Sequence, residues 1–134
     1  MMDKQKLITL ARRALRFSYS PYSKFKVGAA VIGNNGKSYT GTNVENASYG
    51  LTICAERVAI TKAVSEGVTG FTALSVAVAH KRAAVPCGAC LQVFGEFAKN
   101  DAVVILCNED GQTVVETTFG ELLTQPFRSI RQDR

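Results

Sequence analysis

Long apolar runs are absent from this 134-residue chain. The longest are the size of a strand, well short of the ~20 residues that a membrane-crossing helix needs. A signal peptide is missing as well, because the first thirty residues carry Lys4, Lys6, Arg12, Arg13 and Arg16. These absences argue against a membrane partner and predict a soluble, cytoplasmic protein. Internal repeats, linkers and low-complexity tracts are also lacking, so residues 1–134 read as a single domain, and 46% hydrophobic content is enough for a core. Acidic residues are the minority, eleven against sixteen basic ones, for a net charge of +5. The basic excess is scattered in small clusters at Arg12-Arg13-Arg16, Lys81-Arg82 and the tail from Arg128 to Arg134. Without a long basic stripe interleaved with aromatics, no nucleic-acid partner is expected. Histidine is nearly absent, with His80 alone in the chain.

Against these absences stand four cysteines, at positions 54, 87, 90 and 107. In a reducing compartment such thiols are more often metal ligands than disulfides. Cys107 lies in the apolar run Ala102-Val103-Val104-Ile105-Leu106 and reads as a buried structural thiol. The other three fall into two segments, Cys54-Ala55-Glu56 and Pro86-Cys87-Gly88-Ala89-Cys90.

Leu7, Leu10, Ala11, Ala14 and Leu15 recur at helical spacing, which predicts an amphipathic helix over about residues 3–17, broken by Ser20-Pro21. Phe25, Val27, Ala29 and Val31 alternate as in a strand, and Gly33-Asn34-Asn35-Gly36 turns the chain into a second strand through Tyr39. Asn43 to Asn46 falls at or beyond its end. A second helix is expected from near Cys54 to Ser65, burying Val58, Ala59 and Ala63 and stopping at Gly67. Strands follow at 74–79, 102–107 and 113–117, with helices at 87–98 and 119–123. Strands alternating with helices imply an α/β fold: one mixed sheet of about five strands sandwiched by helices.

Cys87 and Cys90, three apart in a first helical turn, share a face, and Cys54 opens a different helix. If both helix N-termini point at one spot, three thiolates meet one tetrahedral zinc ion and leave the fourth position open, which is the catalytic arrangement. His80, near a strand end, and Cys107, inside a strand, are poor candidates for a fourth ligand. Three thiolates leave the zinc site with a negative charge. The positive ends of two helices and hydrogen bonds from Arg57 to sulfur can offset it. Zinc would acidify a water for attack on a ring carbon that bears an amino group, and Glu56 would carry protons to the ring nitrogen and the departing amine. This is the pattern known for zinc deaminases of nucleobases, in its three-cysteine form.

The chain resembles the small homotetrameric, zinc-dependent cytidine deaminases over nearly its whole length. The segments that carry the resemblance are Tyr19-Ser20-Pro21-Tyr22-Ser23-Lys24-Phe25-Lys26-Val27-Gly28-Ala29-Ala30, Gly41-Thr42-Asn43-Val44-Glu45-Asn46-Ala47-Ser48-Tyr49, Cys54-Ala55-Glu56-Arg57, Pro86-Cys87-Gly88-Ala89-Cys90 and Glu121-Leu122-Leu123. The resemblance implies an α/β/α fold, one zinc per subunit, a homotetramer, and hydrolysis of cytidine and 2′-deoxycytidine to uridine and 2′-deoxyuridine in pyrimidine salvage. By the same likeness, Asn43 and Glu45 bind the ribose hydroxyls, Phe25 packs on the pyrimidine, and the backbone at Ala55 reads the base. Tyr49 and Phe127 look like positions that serve a neighbouring subunit's pocket. An amide and a carboxylate at i and i+2 of an extended segment do point the same way and can grip a hydroxyl. Two departures stand out: Leu91 where the family commonly has Arg, and Thr124-Gln125-Pro126 in place of Leu-Leu-Pro. A drug deaminase of the blasticidin type, an editor of polynucleotide cytosine and a non-enzymatic zinc-stabilised module are the competing readings. The ribose pair Asn43 and Glu45 weighs against the polynucleotide editor, the same pair with Phe25 favours the nucleoside over the drug substrate, and Glu56 beside an open metal position weighs against the module.

Overall fold

The computed structural model describes residues 3–129, so the tail from residue 130 onward lies outside the described residues. Five strands form one sheet in the order β2-β1-β3-β4-β5: β1 is Val27–Gly33, β2 Ser38–Thr42, β3 Phe71–Val78, β4 Ala98–Cys107 and β5 Val114–Thr118. All neighbours are antiparallel except β3 and β4, which run parallel. That parallel pair needs a crossover, and helix α3, Gly88–Phe97, supplies it. Helix α1, Lys4–Ala14, packs on one face, and α2, Ala55–Ser65, lies with α3 and the short α4, Phe119–Leu122, on the other. This is the expected sandwich on a mixed five-stranded sheet.

Asp3 caps α1 by accepting from Lys6 N–H at 3.0 Å, and Leu7, Ile8, Ala11 and Ala14 form its buried face. The helix stops at Ala14 and tightens into a 3-10 turn over Leu15–Phe17, a little short of the expected end. A Cβ on Gly28 would come within 2.2 Å of the Ala11 carbonyl oxygen, so the absence of a side chain lets α1 lie against β1. On the opposite face Gly41 does the same for α2, where a Cβ would meet Ala59 N at 2.5 Å and Ala55 O at 2.6 Å. The seating of α2 fixes which of its residues are buried. Ala59, Ile60 and Ala63 enter the core, whereas Val58, expected there, stays half-buried beside Gly41.

The register sets where a site can form. Val27 pairs with Val78 and Gly28 with Thr42, so the chain entering β1, leaving β2 and leaving β3 meets at one edge of the sheet. The loops there are knitted by backbone bonds: Glu45 N to Tyr19 O at 2.9 Å, and Val44 and Ile53 exchanging N–H···O bonds at 2.9 Å each. Among the described residues, no helix is long and apolar enough to cross a membrane.

Candidate active site

Two helices begin at this edge with a cysteine at the N-cap. Cys54 caps α2 and Cys87 caps α3, both in extended backbone conformation, and neither side chain makes a capping hydrogen bond to its helix. The thiols are therefore free to serve as ligands. Cys90, in the first turn of α3, completes a cluster in which all three sulfurs lie within 4.8 Å of one another, with Cys87 and Cys90 Sγ 3.5 Å apart. A tetrahedron with zinc–sulfur distances of about 2.3 Å has an edge of about 3.8 Å, so the three sulfurs fit one zinc ion after small side-chain rotations. Among the described residues, no fourth Cys, His, Asp or Glu joins the cluster. Cys107 is buried within β4, and His80 is exposed beyond the end of β3, its Nδ1 accepting from Arg82 N–H. Three donors with one position open is the arrangement of a catalytic metal.

Electrostatics point the same way. Arg57 Nη2 stands 3.7 Å from Cys54 Sγ, while its buried Nε has no partner among the described residues. A hydrogen bond from the Cys90 thiol, reinforced by Arg57, holds Cys54 well below the ordinary thiol value. Cys90 moves the other way, because it donates to Cys54 and is buried. The N-termini of α2 and α3 add positive potential at the same point.

Glu56, one residue into α2, is 5% exposed. Burial raises its carboxyl above the usual range, the Cys54 charge adds to this, and its own backbone N–H and Arg57 pull against it. A carboxyl held protonated more readily than usual, beside an open ligand position, suits proton transfer.

Cys54, Cys87 and Glu56 line a cavity of about 290 Å³, whose walls also include Ser23, Phe25, Asn43, Glu45 and Ala55. Asn43 is largely committed internally. Its Oδ1 accepts from Val27 N–H and Ser18 Oγ–H, and its Nδ2 donates to Phe25 O at 2.7 Å, which leaves one amide hydrogen for a ligand. Glu45 Oε1 accepts from Tyr22 and Ser23 N–H at 3.0 and 3.1 Å, and Oε2 accepts from Ser23 Oγ–H. These donors, the Ser23 hydroxyl first, hold its carboxyl below the usual carboxylate range, with Lys24 adding to the effect and partial desolvation opposing it.

Tyr49 and Phe127 do not line this cavity. Tyr49 is exposed, edge-on to Tyr22 at 6.1 Å, in an adjoining hollow that shares Ser23, Glu45 and Thr52 with it. The Phe127 ring is 73% exposed, and its backbone is pinned to α3 by the Gln92 side chain. Leu91 is buried in the core cluster with Phe94, so the departure at this position belongs to packing rather than to the site. Sequence reading missed Ser23 and Gln92. Ser23 lay inside a quoted motif without a role, and no local pattern marks a side chain that bonds backbone thirty-five residues away.

Comparison with known proteins agrees with this geometry. The family described as "Cytidine and deoxycytidylate deaminase zinc-binding region" matches residues 1–107. A cytidine deaminase of Sporosarcina psychrophila is 46% identical over 94% of this chain and 92% of its own length, and one of Halalkalibacterium halodurans is 48% identical over 94% and 95%. The crystal structure of cytidine deaminase from Burkholderia pseudomallei superposes with a TM-score of 0.88 at 44% identity, covering 94% of this chain and 100% of that one. The cytidine deaminase structure from Mycobacterium tuberculosis gives 0.83 at 35% identity, over 96% and 100%. A three-thiol cluster at two helix N-termini with a buried glutamate beside it is what such a match requires, and on both grounds this chain belongs to the cytidine and deoxycytidylate deaminase zinc-binding family.

Proposed function

We propose that this chain, as a single domain over residues 1–134, converts cytidine and 2′-deoxycytidine into uridine and 2′-deoxyuridine with release of ammonia, in pyrimidine salvage. The observation that carries the reading is one cavity lined by a buried Glu56, by Cys54 and Cys87 of the three-thiol cluster, and by the Asn43–Glu45 pair. Cys54, Cys87 and Cys90 hold one zinc ion per chain. When bound, it supplies the Lewis-acid chemistry that makes water a nucleophile near neutral pH.

The remaining work falls to the chain. The base lies between the Phe25 ring and the start of α2, where its edge is read by the backbone at Ala55, one of the residues that line the cavity. The sugar hydroxyls meet the free lone pair of Glu45 and the spare amide hydrogen of Asn43. As the water oxygen bonds to the ring carbon C4, Glu56 takes its proton and delivers it to N3. Glu56 then carries the second proton to the amino group, the C4–N bond breaks, and ammonia leaves behind a carbonyl. One water is consumed and one ammonia released, and Glu56 ends as it began. Arg57 holds the sulfur charge in check.

A homotetramer fits the exposed apolar side chains near the site, Tyr22, Val44, Tyr49, Leu51, Ile53 and Val85, which a lone chain would leave in water. In such an assembly Tyr49 and Phe127 serve a neighbour's pocket. A cytoplasmic location suits four unpaired cysteines. The test is an absorbance assay with cytidine and 2′-deoxycytidine on protein of measured zinc content. Loss of the cytosine chromophore with matching ammonia is expected. No turnover of either at about one zinc per chain would contradict the reading.

A further inference from the structure

One hydroxyl connects the two walls of the cavity. Ser23 Oγ–H is donated to Glu45 Oε2, and the same oxygen accepts the Phe25 N–H at 3.0 Å. The Phe25 carbonyl is in turn held by Asn43 Nδ2 at 2.7 Å. Both backbone groups of the residue whose ring faces the base are thus fixed by side chains, and each of those side chains is tied into the sugar-facing segment. A carboxylate has about four lone-pair sites. Three on Glu45 are taken, by Tyr22 N–H, Ser23 N–H and Ser23 Oγ–H, so the free one belongs to Oε2, the oxygen that Ser23 orients.

The backbone around Ser23 is shaped for this. Lys24 sits at φ 60°, a left-handed conformation that a non-glycine residue rarely adopts. Its N–H closes a turn onto Ser20 O at 3.0 Å, so the chain reverses within residues 20–24 and places Ser23 against Glu45 just before Phe25. Strained backbone of this kind persists where the surroundings over-determine it, often next to a binding site.

We infer that Ser23 is a positioning residue that orients the sugar-reading carboxylate of Glu45, and so sets the discrimination for nucleosides that carry ribose hydroxyls. The inference rests on the proposed nucleoside reading. Ser23 touches none of the thiols or Glu56, so its removal acts on binding of the sugar and leaves the chemical step in place.

The test compares wild type, Ser23→Ala and Ser23→Thr in steady-state turnover of cytidine. 2′,3′-Dideoxycytidine serves as a competitor, whose inhibition constant reports its affinity whether or not it is itself turned over. Ser23→Ala is expected to raise KM for cytidine about tenfold, the loss typical of one hydrogen bond to a charged group, with kcat within about threefold. The inhibition constant of the dideoxy compound should stay within about twofold, and Ser23→Thr, which keeps the hydroxyl, should restore KM. An unchanged KM in Ser23→Ala, or an equal loss for both compounds, would overturn the inference and leave the deaminase reading intact. A wild-type protein that turns over no cytidine would defeat that reading itself, and this inference with it, before any variant is made.

Discussion

Arg57, in the first turn of α2, stands three residues from its N-cap Cys54, with the guanidinium Nη2 3.7 Å from the sulfur and Nε buried without a partner among the described residues. An orphaned buried donor is costly, and here it lies beside a cluster that becomes more negative when its thiols ionise. The arrangement predicts that Arg57→Ala lowers zinc affinity by roughly 10–100-fold, the usual range for an outer-shell partner of a metal ligand. Arg57→Lys, a point charge without the planar fork, should fall between. Competition with a chelator of known affinity checks both.

Metal removal should sort the four cysteines. In the zinc-loaded protein, Cys54, Cys87 and Cys90 are expected to be slow toward a thiol reagent. Chelation should expose three thiols to reaction, starting with Cys87, which is exposed. Cys107 is fully buried and its thiol is pushed up by burial, against a weaker pull from Arg12, so it should react on unfolding. A thiol titration with and without chelator reads the count directly.

Glu45 gives a pH dependence with a definite sign. Its folded-state carboxyl is depressed, so the group stays ionised down through the ordinary carboxylate range. The stability it contributes is present above its unfolded value and is lost as pH falls through the lower folded one. Sugar binding follows the same window, so KM for cytidine should hold steady from neutrality to about pH 5 and rise below the ordinary carboxylate pKa. A profile of KM against pH, set beside Glu45→Gln, which should lack this acid limb, checks the assignment.

Ser75 is wholly buried in β3 and its hydroxyl has no partner among the described residues. Ser75→Ala should therefore leave stability unchanged or raise it by up to about 1 kcal/mol, because no bond is lost and a desolvated hydroxyl is removed. Urea unfolding followed by circular dichroism checks it, and a clear loss of stability would reveal a partner for Oγ.

Much of the frame could be read from residue order. The strand alternation of Val27, Ala29 and Val31, the apolar run at 102–107 and the helix starts at Cys54 and Cys87 all fall where the sequence places them. Other parts are tertiary in origin. Strand β4 begins at Ala98, before the expected Ala102, because Lys99, Asn100 and Asp101 have polar side chains at exposed positions and hide the strand from any hydrophobic pattern. Val58 stays half-buried and Ile60 is buried where α2 lies close against Gly41 of β2, and no periodicity within α2 records that contact. At the site, the thiols and Glu56 were legible because metal chemistry restricts residue type and spacing. Ser23 and Gln92 act by bonding distant backbone or side chains, so their roles appear when β1, β2 and α3 are assembled.

In the proposed mechanism Glu56 moves protons beside a metal that it does not hold. The measurement is zinc content and turnover of cytidine on the same preparation of Glu56→Gln. About one zinc per chain with turnover down by ~10²–10⁴-fold or more is predicted, since the amide keeps the shape of the carboxyl and cannot accept the proton. Turnover near the wild-type rate would contradict the account, and loss of the zinc along with the activity would place Glu56 among the groups that hold the metal.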